Sequence, residues 1–426
     1  MQRRAACVLV LLSVSCFALA RPASAQTAET VIEWNQALST TLSTPGASDP
    51  NVFFTRPVAL LNVAIFDAVN SFSRVYTPYL AFVDVPPDAS PDAAAAQAAH
   101  DVLVSMFPTQ RAVYDTLLAS QLSRLAGGAA QRGAAVGAAA ATAILQLRAD
   151  DGWNRPQALY TLPSLPGYWQ PVPPQNAPAA FAHYQDVAPF VIGSRSQFAP
   201  ARPPDLTSER YAADFNQAKA LGSATSTTRS ADQTLIARLF AVVGTTTSIP
   251  AVWINLTRDL VRARALNGLD AARLYALVGV TLHDALLTSF SAKFQYGIWR
   301  PVTAIREADR DNNPATIADA GWVALIPNPP YPTYPGNYAC LASSATRVFA
   351  RAFGRDDIPF SVTWTEANGP GWTRNYTRLS QLAEEASMSR VYGGIHFDFD
   401  TQGGYASCLP VADYVYDNAF RRTSPQ

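Results

Sequence analysis

Apolar residues recur at helical spacing along most of the chain. Ala93–Met106, Gln110–Leu125 and Ala129–Leu147 are rich in alanine and lack the alternation of a half-buried strand, so each predicts a helix. A longer helix is predicted from Asp270, a suitable N-cap, with Leu274, Leu277, Val278, Leu282, Ala285 and Leu286 recurring along it. Between these blocks, Gly152–Pro204 carries many prolines and several aromatics, and glycine and serine do not dominate it. That composition predicts a long structured loop crossing the surface rather than a flexible linker. The chain reads as mostly helix.

A faint internal echo runs through the helices. Ala59-Leu60-x-x-Val63-x-x-x-Asp67-Ala68 recurs as Ala276-Leu277-x-x-Val280-x-x-x-Asp284-Ala285, and Ser71-Phe72-Ser73 as Ser289-Phe290-Ser291 after one extra residue. Two readings stay open: chance similarity between alanine- and leucine-rich helices, or duplicated helical bundles, one in each half. On the second, residues 26–426 form one helical domain with halves at roughly 30–150 and 229–422, joined by the proline-rich 152–204. Asp67 and Asp284 fit structural pairing with arginines as well as any catalytic role.

Charge removes one class of function. Lys+Arg 32 balance Asp+Glu 32, and no basic run stands out, so a nucleic-acid partner has no electrostatic basis. The basic residues are all arginine except Lys219 and Lys293, which makes a lysine at any given place unusual. Residues 1–25 read as a secretory signal: Arg3 and Arg4, an apolar stretch from Ala5 to Ala20, and Ala23-Ser24-Ala25 as the cleavage site. The run is short for a membrane anchor, and no later segment reaches about 18 uninterrupted apolar residues, so no span is expected in the mature chain. A periplasmic or extracellular location follows. Cys7 and Cys16 leave with the signal, and Cys340 and Cys408 are then either a disulfide or two buried thiols.

The polar groups that an oxyanion site needs concentrate in three later segments. In Lys293-Phe-Gln-Tyr-Gly-Ile-Trp-Arg300-Pro301, a lysine and an arginine seven apart fall on nearly one helix face, roughly 10 Å apart along the axis. A compact ammonium beside a planar guanidinium suits a tetrahedral oxyanion; the alternative is a solvent-facing pair. Tyr331-Pro-Thr-Tyr334-Pro335-Gly336-Asn337-Tyr338 carries a Pro-Gly turn opening a helix over Ala339–Phe349, which aims free backbone N–H groups at one spot. In Arg390-Val-Tyr-Gly393-Gly394-Ile-His396-Phe-Asp-Phe-Asp400, the paired glycines allow a bend that turns Arg390 and His396 to one centre. The other histidines, His100, His183 and His283, read as satisfied core residues.

In order and spacing these segments resemble the vanadium-dependent haloperoxidase family, within the group that includes type 2 phosphatidic acid phosphatases and bacterial acid phosphatases. Lys293 to Arg306 is similar to the family's first motif, Tyr334-Pro335 to the start of its second, and Arg390 with His396 to its third. Looser similarity covers most of the mature chain. The resemblance implies an all-α fold of two packed helical bundles with long proline-rich loops. It implies vanadate as cofactor, with phosphate as a substitute, held by Lys293, Arg300, Arg390 and the second-motif residues Gly336 and Asn337. His396 would be the ligand to vanadium, or the nucleophile in a phosphatase. Where the family pattern is Pro-Ser-Gly-His, this chain reads Pro335-Gly336-Asn337-Tyr338, so the phenol of Tyr338 stands at the acid–base histidine's place. A phenol titrates near pH 10 against about 6.5 for imidazole, so it donates a hydrogen bond but shuttles protons poorly near neutrality. The leading expectation is a vanadate-binding enzyme that oxidises a halide with hydrogen peroxide, acting on the halide or a small organic substrate. The alternatives are a phosphate-ester hydrolase using His396, or a non-peroxidase relative in which Tyr338 serves another reaction.

Overall fold

A computed structural model describes residues 23–44, 46–47, 54–241, 249–366 and 369–423. Most of the expected signal, residues 1–22, lies outside the described residues, and the expected cleavage site Ala23–Ala25 begins the first helix. About 58% of the described residues are helical. Ahead of the crossing segment come α1 (Ala23–Ser43), α2 (Thr55–Asn70), α3 (Pro91–Met106), α4 (Arg111–Leu122) and α5 (Gly127–Leu147). After it come α6 (Glu209–Gly222), α7 (Ala231–Phe240), α8 (Ile249–Ala263), α9 (Gly268–Tyr296), α10 (Pro301–Arg306), α11 (Asn337–Phe353), α12 (Leu379–Tyr392) and α13 (Asp398–Asn418).

One element departs from the all-helical expectation. Between α11 and α12 an antiparallel hairpin pairs β1 (Phe360–Glu366) with β2 (Gly369–Tyr376), in register Thr363↔Thr373 and Trp364↔Trp372. β-Branched and aromatic residues placed opposite one another stabilise such a ribbon.

Helix α9 is the axis of the molecule, packing against α1, α2, α11 and α13. Its N-cap is Asn267, whose side chain accepts from the Asp270 amide at 2.9 Å, so the helix starts three residues before the expected cap. Asp270 instead lies in the first turn, where a carboxylate suits the helix dipole. By length and composition α9 is apolar enough to cross a membrane, yet nearly all of that stretch is buried inside the protein.

The echoed aspartates sit on α2 and α9, which pack together, and both meet backbone amides rather than arginine side chains. Asp67 accepts from Tyr79 N at 2.7 Å and Leu80 N at 2.9 Å. Asp284 accepts from Phe190 N, Val191 N and Ile192 N at 2.6, 2.7 and 3.0 Å. Each carboxylate therefore ties an extended Pro-aromatic segment, Pro78-Tyr79 or Pro189-Phe190, onto its own helix. The amides substitute for water, which is how a charged group survives there. Burial still pushes both carboxyls up to about 6. The Asp284 bonds hold the 190–192 end of the proline-rich crossing segment against α9, alongside backbone bonds such as Trp169 N to Gly297 O.

Cys340 on α11 and Cys408 on α13 form a disulfide with Cα atoms 5.1 Å apart, within the usual span. It staples together the two helices whose N-termini build the site described next.

Candidate oxyanion site

The three segments meet. Lys293 and Arg300 do not share a helix face, however: α9 ends at Tyr296, and Gly297 caps it in the left-handed region at φ +63°. Ile298 and Trp299 then lead to Arg300, the N-cap of α10. Glycine adopts that left-handed cap without the Cβ clash that opposes helix termination there. The two cations converge because the chain turns between them.

Both are fully buried and both grip the second segment. Lys293 Nζ donates to the carbonyls of Pro332 at 3.1 Å and Thr333 at 2.6 Å, and to that of Pro335. An ammonium has three protons, and here all three go to carbonyls. Arg300 Nε donates to Tyr331 O at 2.9 Å and Nη1 to Ile395 O at 2.8 Å, while Nη2 is buried with no partner among the described residues. Burial pushes the Lys293 ammonium well down and the Arg300 guanidinium down to about 10. Arg300 adds to the cost of ionising Lys293, and Arg390 to that of ionising Arg300.

The Pro-Gly turn opens α11 as expected, with Gly336 as N-cap. Its own N–H, expected to face an anion, is committed to Asp400 O at 2.8 Å. That bond locks the start of α11 onto the start of α13. The amides of Asn337, Tyr338 and Ala339 form the first turn and have no intrahelical acceptor. Asn337 is buried; its Oδ1 accepts from Ser289 Oγ at 2.7 Å, and its Nδ2 has no partner among the described residues.

Across from this turn, Gly394 at φ +78° makes the expected bend after α12 and delivers His396. Arg300 Nη1, which can only donate, lies 3.2 Å from His396 Nε2, so Nε2 is the acceptor nitrogen and Nδ1 carries the hydrogen. Nδ1 lies 2.9 Å from Asp400 Oδ2. The same oxygen accepts from Thr333 Oγ1 at 2.6 Å and Phe397 N at 2.9 Å. Burial, then Arg300, Lys293 and Arg390, hold His396 well below the ordinary imidazole range, so the ring is neutral. Burial lifts the Asp400 carboxyl to about 7 against the opposing pull of its hydrogen bonds and cations.

Arg390 is half-buried, donates to Phe240 O at 3.1 Å and lies 4.1 Å over the Tyr338 ring. Burial pushes the Tyr338 phenol up to about 12, further from neutrality than a free phenol. Tyr331, which the sequence did not single out, lies under both Arg300 and Lys293, with ring centroid distances of 5.0 and 5.5 Å. Neither Asp400 nor Thr333 was assigned a role from sequence. The spacing of four between His396 and Asp400 was the available signal for the first; a lone threonine offers none.

The other histidines stay outside. His100 bridges Asp101 at 2.8 Å and Asp115 at 2.7 Å, and His283 Nδ1 lies 3.2 Å from Thr55 Oγ1. His183 is buried beside Tyr184, its ring centroid 4.7 Å away.

Arg300, Lys293 and Arg390 therefore act on a neutral His396, and Lys293 and Arg300 also act on the Asp400 carboxyl. Each buried donor left unpaired costs about 1–3 kcal/mol, so a bound oxyanion that accepts from Arg300 Nη2 and Asn337 Nδ2 relieves a standing penalty. The residues fit vanadate or phosphate in charge and donor type. Lys293 and Gly336 fit it through the loop they brace, since their own donors are spent.

Residues 273–424 match the family profile of the VCPO second helical-bundle domain. The chain is 26% identical over 215 residues to the vanadium chloroperoxidase of Curvularia inaequalis, a match covering 39% of this chain and 34% of that protein's length. The fold is similar to the crystal structure of the first bacterial vanadium-dependent iodoperoxidase, with a TM-score of 0.77 at 20% identity, over 93% of this chain and 98% of that one. It is also similar to a holo-type bacterial vanadium-dependent chloroperoxidase, with a TM-score of 0.72 at 16% identity, over 89% and 93% of the two chains. The family profile thus covers the last third of the chain, and the fold is similar to that of these vanadium-dependent haloperoxidases.

Proposed function

We propose that this centre binds vanadate and that the protein is an exported, haloperoxidase-type enzyme acting on hydrogen peroxide and a halide. The observation that carries the reading is the orientation of His396. Its Nδ1 is held by Asp400 and Thr333, and its neutral Nε2 faces Arg300 Nη1 at 3.2 Å. A carboxylate behind an imidazole fixes the tautomer and raises the basicity of the opposite nitrogen, the arrangement that metal-ligating histidines use.

Arg300, Arg390, Asn337 and the first-turn amides of α11 would hold the oxygens, and His396 Nε2 would take the remaining position. Bound vanadate supplies the Lewis-acidic centre at which peroxide is activated toward a halide. Lys293 keeps the Pro332, Thr333 and Pro335 carbonyls in place and adds positive charge from behind. Tyr338 supplies a hydrogen bond rather than a proton, because its phenol stays protonated through the physiological range. The exported location rests on the N-terminal segment and on the Cys340–Cys408 disulfide, which an oxidising compartment permits. Purified protein given vanadate, peroxide and bromide should brominate a phenolic dye; no turnover anywhere between roughly pH 4 and 8 contradicts the reading.

The Asp400–His396 pair also supports a second reading, phosphate-ester hydrolysis with His396 Nε2 as nucleophile. It requires hydrolysis of an aryl phosphate that vanadate inhibits and His396→Ala abolishes. Hydrolysis surviving that substitution removes it.

A further inference from the structure

The second-motif turn has lost the serine hydroxyl of the family pattern, and the ammonium of Lys293 is used up on carbonyls. Yet one side-chain donor at the mouth of α11 is unspent. Asn337 is 5% exposed, and its Nδ2 finds no acceptor among the described residues. A primary amide buried in this way forfeits two donor protons, which native interiors rarely tolerate unless something absent from the protein accepts them.

The amide is not free to rotate. Ser289, fully buried on α9, gives its hydroxyl proton to Asn337 Oδ1 at 2.7 Å. With Oδ1 fixed, Nδ2 is directed away from α9. Two neighbouring observations mark where it goes. Asn337 and Arg300 both adjoin the Tyr331 hydroxyl, where each holds the phenol's pKa down against its burial. Arg300 carries the other orphaned donor, Nη2. The two side chains that carry unfilled donors thus adjoin a single tyrosine beside the N-terminus of α11.

We propose that Asn337 Nδ2 is a direct donor to the bound oxyanion, and that Ser289 is a positioning residue that aims it. This rests on the oxyanion reading of the site and deepens it. The chain then replaces a hydroxyl and an ammonium contact with a carboxamide, and the Ser289–Asn337 pair is the unit of that replacement.

The test is a double-mutant cycle on the full-length protein with inorganic vanadate as the probe, its affinity read by titration calorimetry or vanadium NMR. Asn337→Gly should weaken binding about tenfold or more, the usual loss for a hydrogen bond to a charged group. Ser289→Ala should weaken it by several-fold, and Ser289→Thr, which keeps the hydroxyl, should retain most of the affinity. In the Asn337→Gly background, Ser289→Ala should change nothing further, a result that a merely structural serine does not give. Wild-type affinity in Ser289→Ala, or an equal loss in both backgrounds, overturns the positioning role. Wild-type affinity in Asn337→Gly overturns the donor role, including the case in which Nδ2 serves only the Tyr331 hydroxyl. Wild-type protein that binds neither vanadate nor phosphate overturns the underlying reading, and this inference with it.

Discussion

His396 Nδ1 and Asp400 Oδ2 lie 2.9 Å apart, four residues from each other at the start of α13, and this contact decides which ring nitrogen faces the cations. Asp400 is lifted to about 7, so it gains a proton as the pH falls below neutrality. A protonated Asp400 leaves the centre more positive, so oxyanion affinity should decline as pH rises through about 7. Asp400→Asn, which stays neutral at every pH, should flatten that decline, with its largest difference from the wild type above pH 7. Comparing variant with wild type at each pH cancels the ionisation of vanadate itself.

On the proposed reading, Tyr338 stands where an acid–base group would be expected. With its phenol pushed up to about 12, the rate profile of the wild type should show no inflection from this residue between pH 5 and 9. Tyr338→His should raise peroxide-dependent bromide oxidation about 10²-fold or more and introduce a dependence near pH 6.5. Tyr338→Phe should leave the wild-type rate within a few-fold. A Tyr338→His protein with unchanged turnover counts against an acid–base deficit.

Asp284 is a structural bolt. Replacing it with alanine strands the amides of Phe190, Val191 and Ile192, each at about 1–3 kcal/mol if left unpaired. Asp284→Ala should therefore cost about 3 kcal/mol or more in denaturant unfolding. Proteolysis should then cut within the 187–193 segment. A loss under 1 kcal/mol contradicts the role.

The Cys340–Cys408 disulfide encloses a long loop, and its removal by Cys340→Ala with Cys408→Ala should lower stability by about 2–4 kcal/mol. Unfolding with and without reductant should give matching shifts for the wild type and none for the variant.

His100, clamped between Asp101 and Asp115, is held above the ordinary imidazole range, first by its bond to Asp101. A raised folded pKa stabilises fully below the unfolded value near 6.5 and loses its contribution as pH rises through the folded value. Since Asp115 is half exposed, solvent screening limits the effect to about 1 kcal/mol or less. His100→Gln should lower the thermal midpoint at pH 5.5 and matter little at pH 9.

Much of the site was legible because it is encoded locally. The Pro335-Gly336 turn opens α11, the Gly393-Gly394 bend delivers His396, and the rare Lys293 lies at the centre. What escaped depends on chain reversal and on distant partners. The pairing of Lys293 with Arg300 looked helical, but Gly297 breaks the helix between them. Asp67 and Asp284 looked ready for arginines, yet backbone amides brought up by distant loops reach them first. Ser289 and Asn337 are 48 residues apart in sequence and neither is distinctive alone. The hairpin after α11 hid because its threonines and tryptophans are few among long helices.

The central claim is that His396 Nε2 would bind an oxyanion held in this centre. Vanadate affinity of the full-length protein, compared between wild type and His396→Ala by calorimetry or vanadium NMR, tests it directly. Saturable one-to-one binding by the wild type, weakened at least about 100-fold in His396→Ala, is the expected result. Equal affinity in the two proteins, or no binding by either, contradicts it.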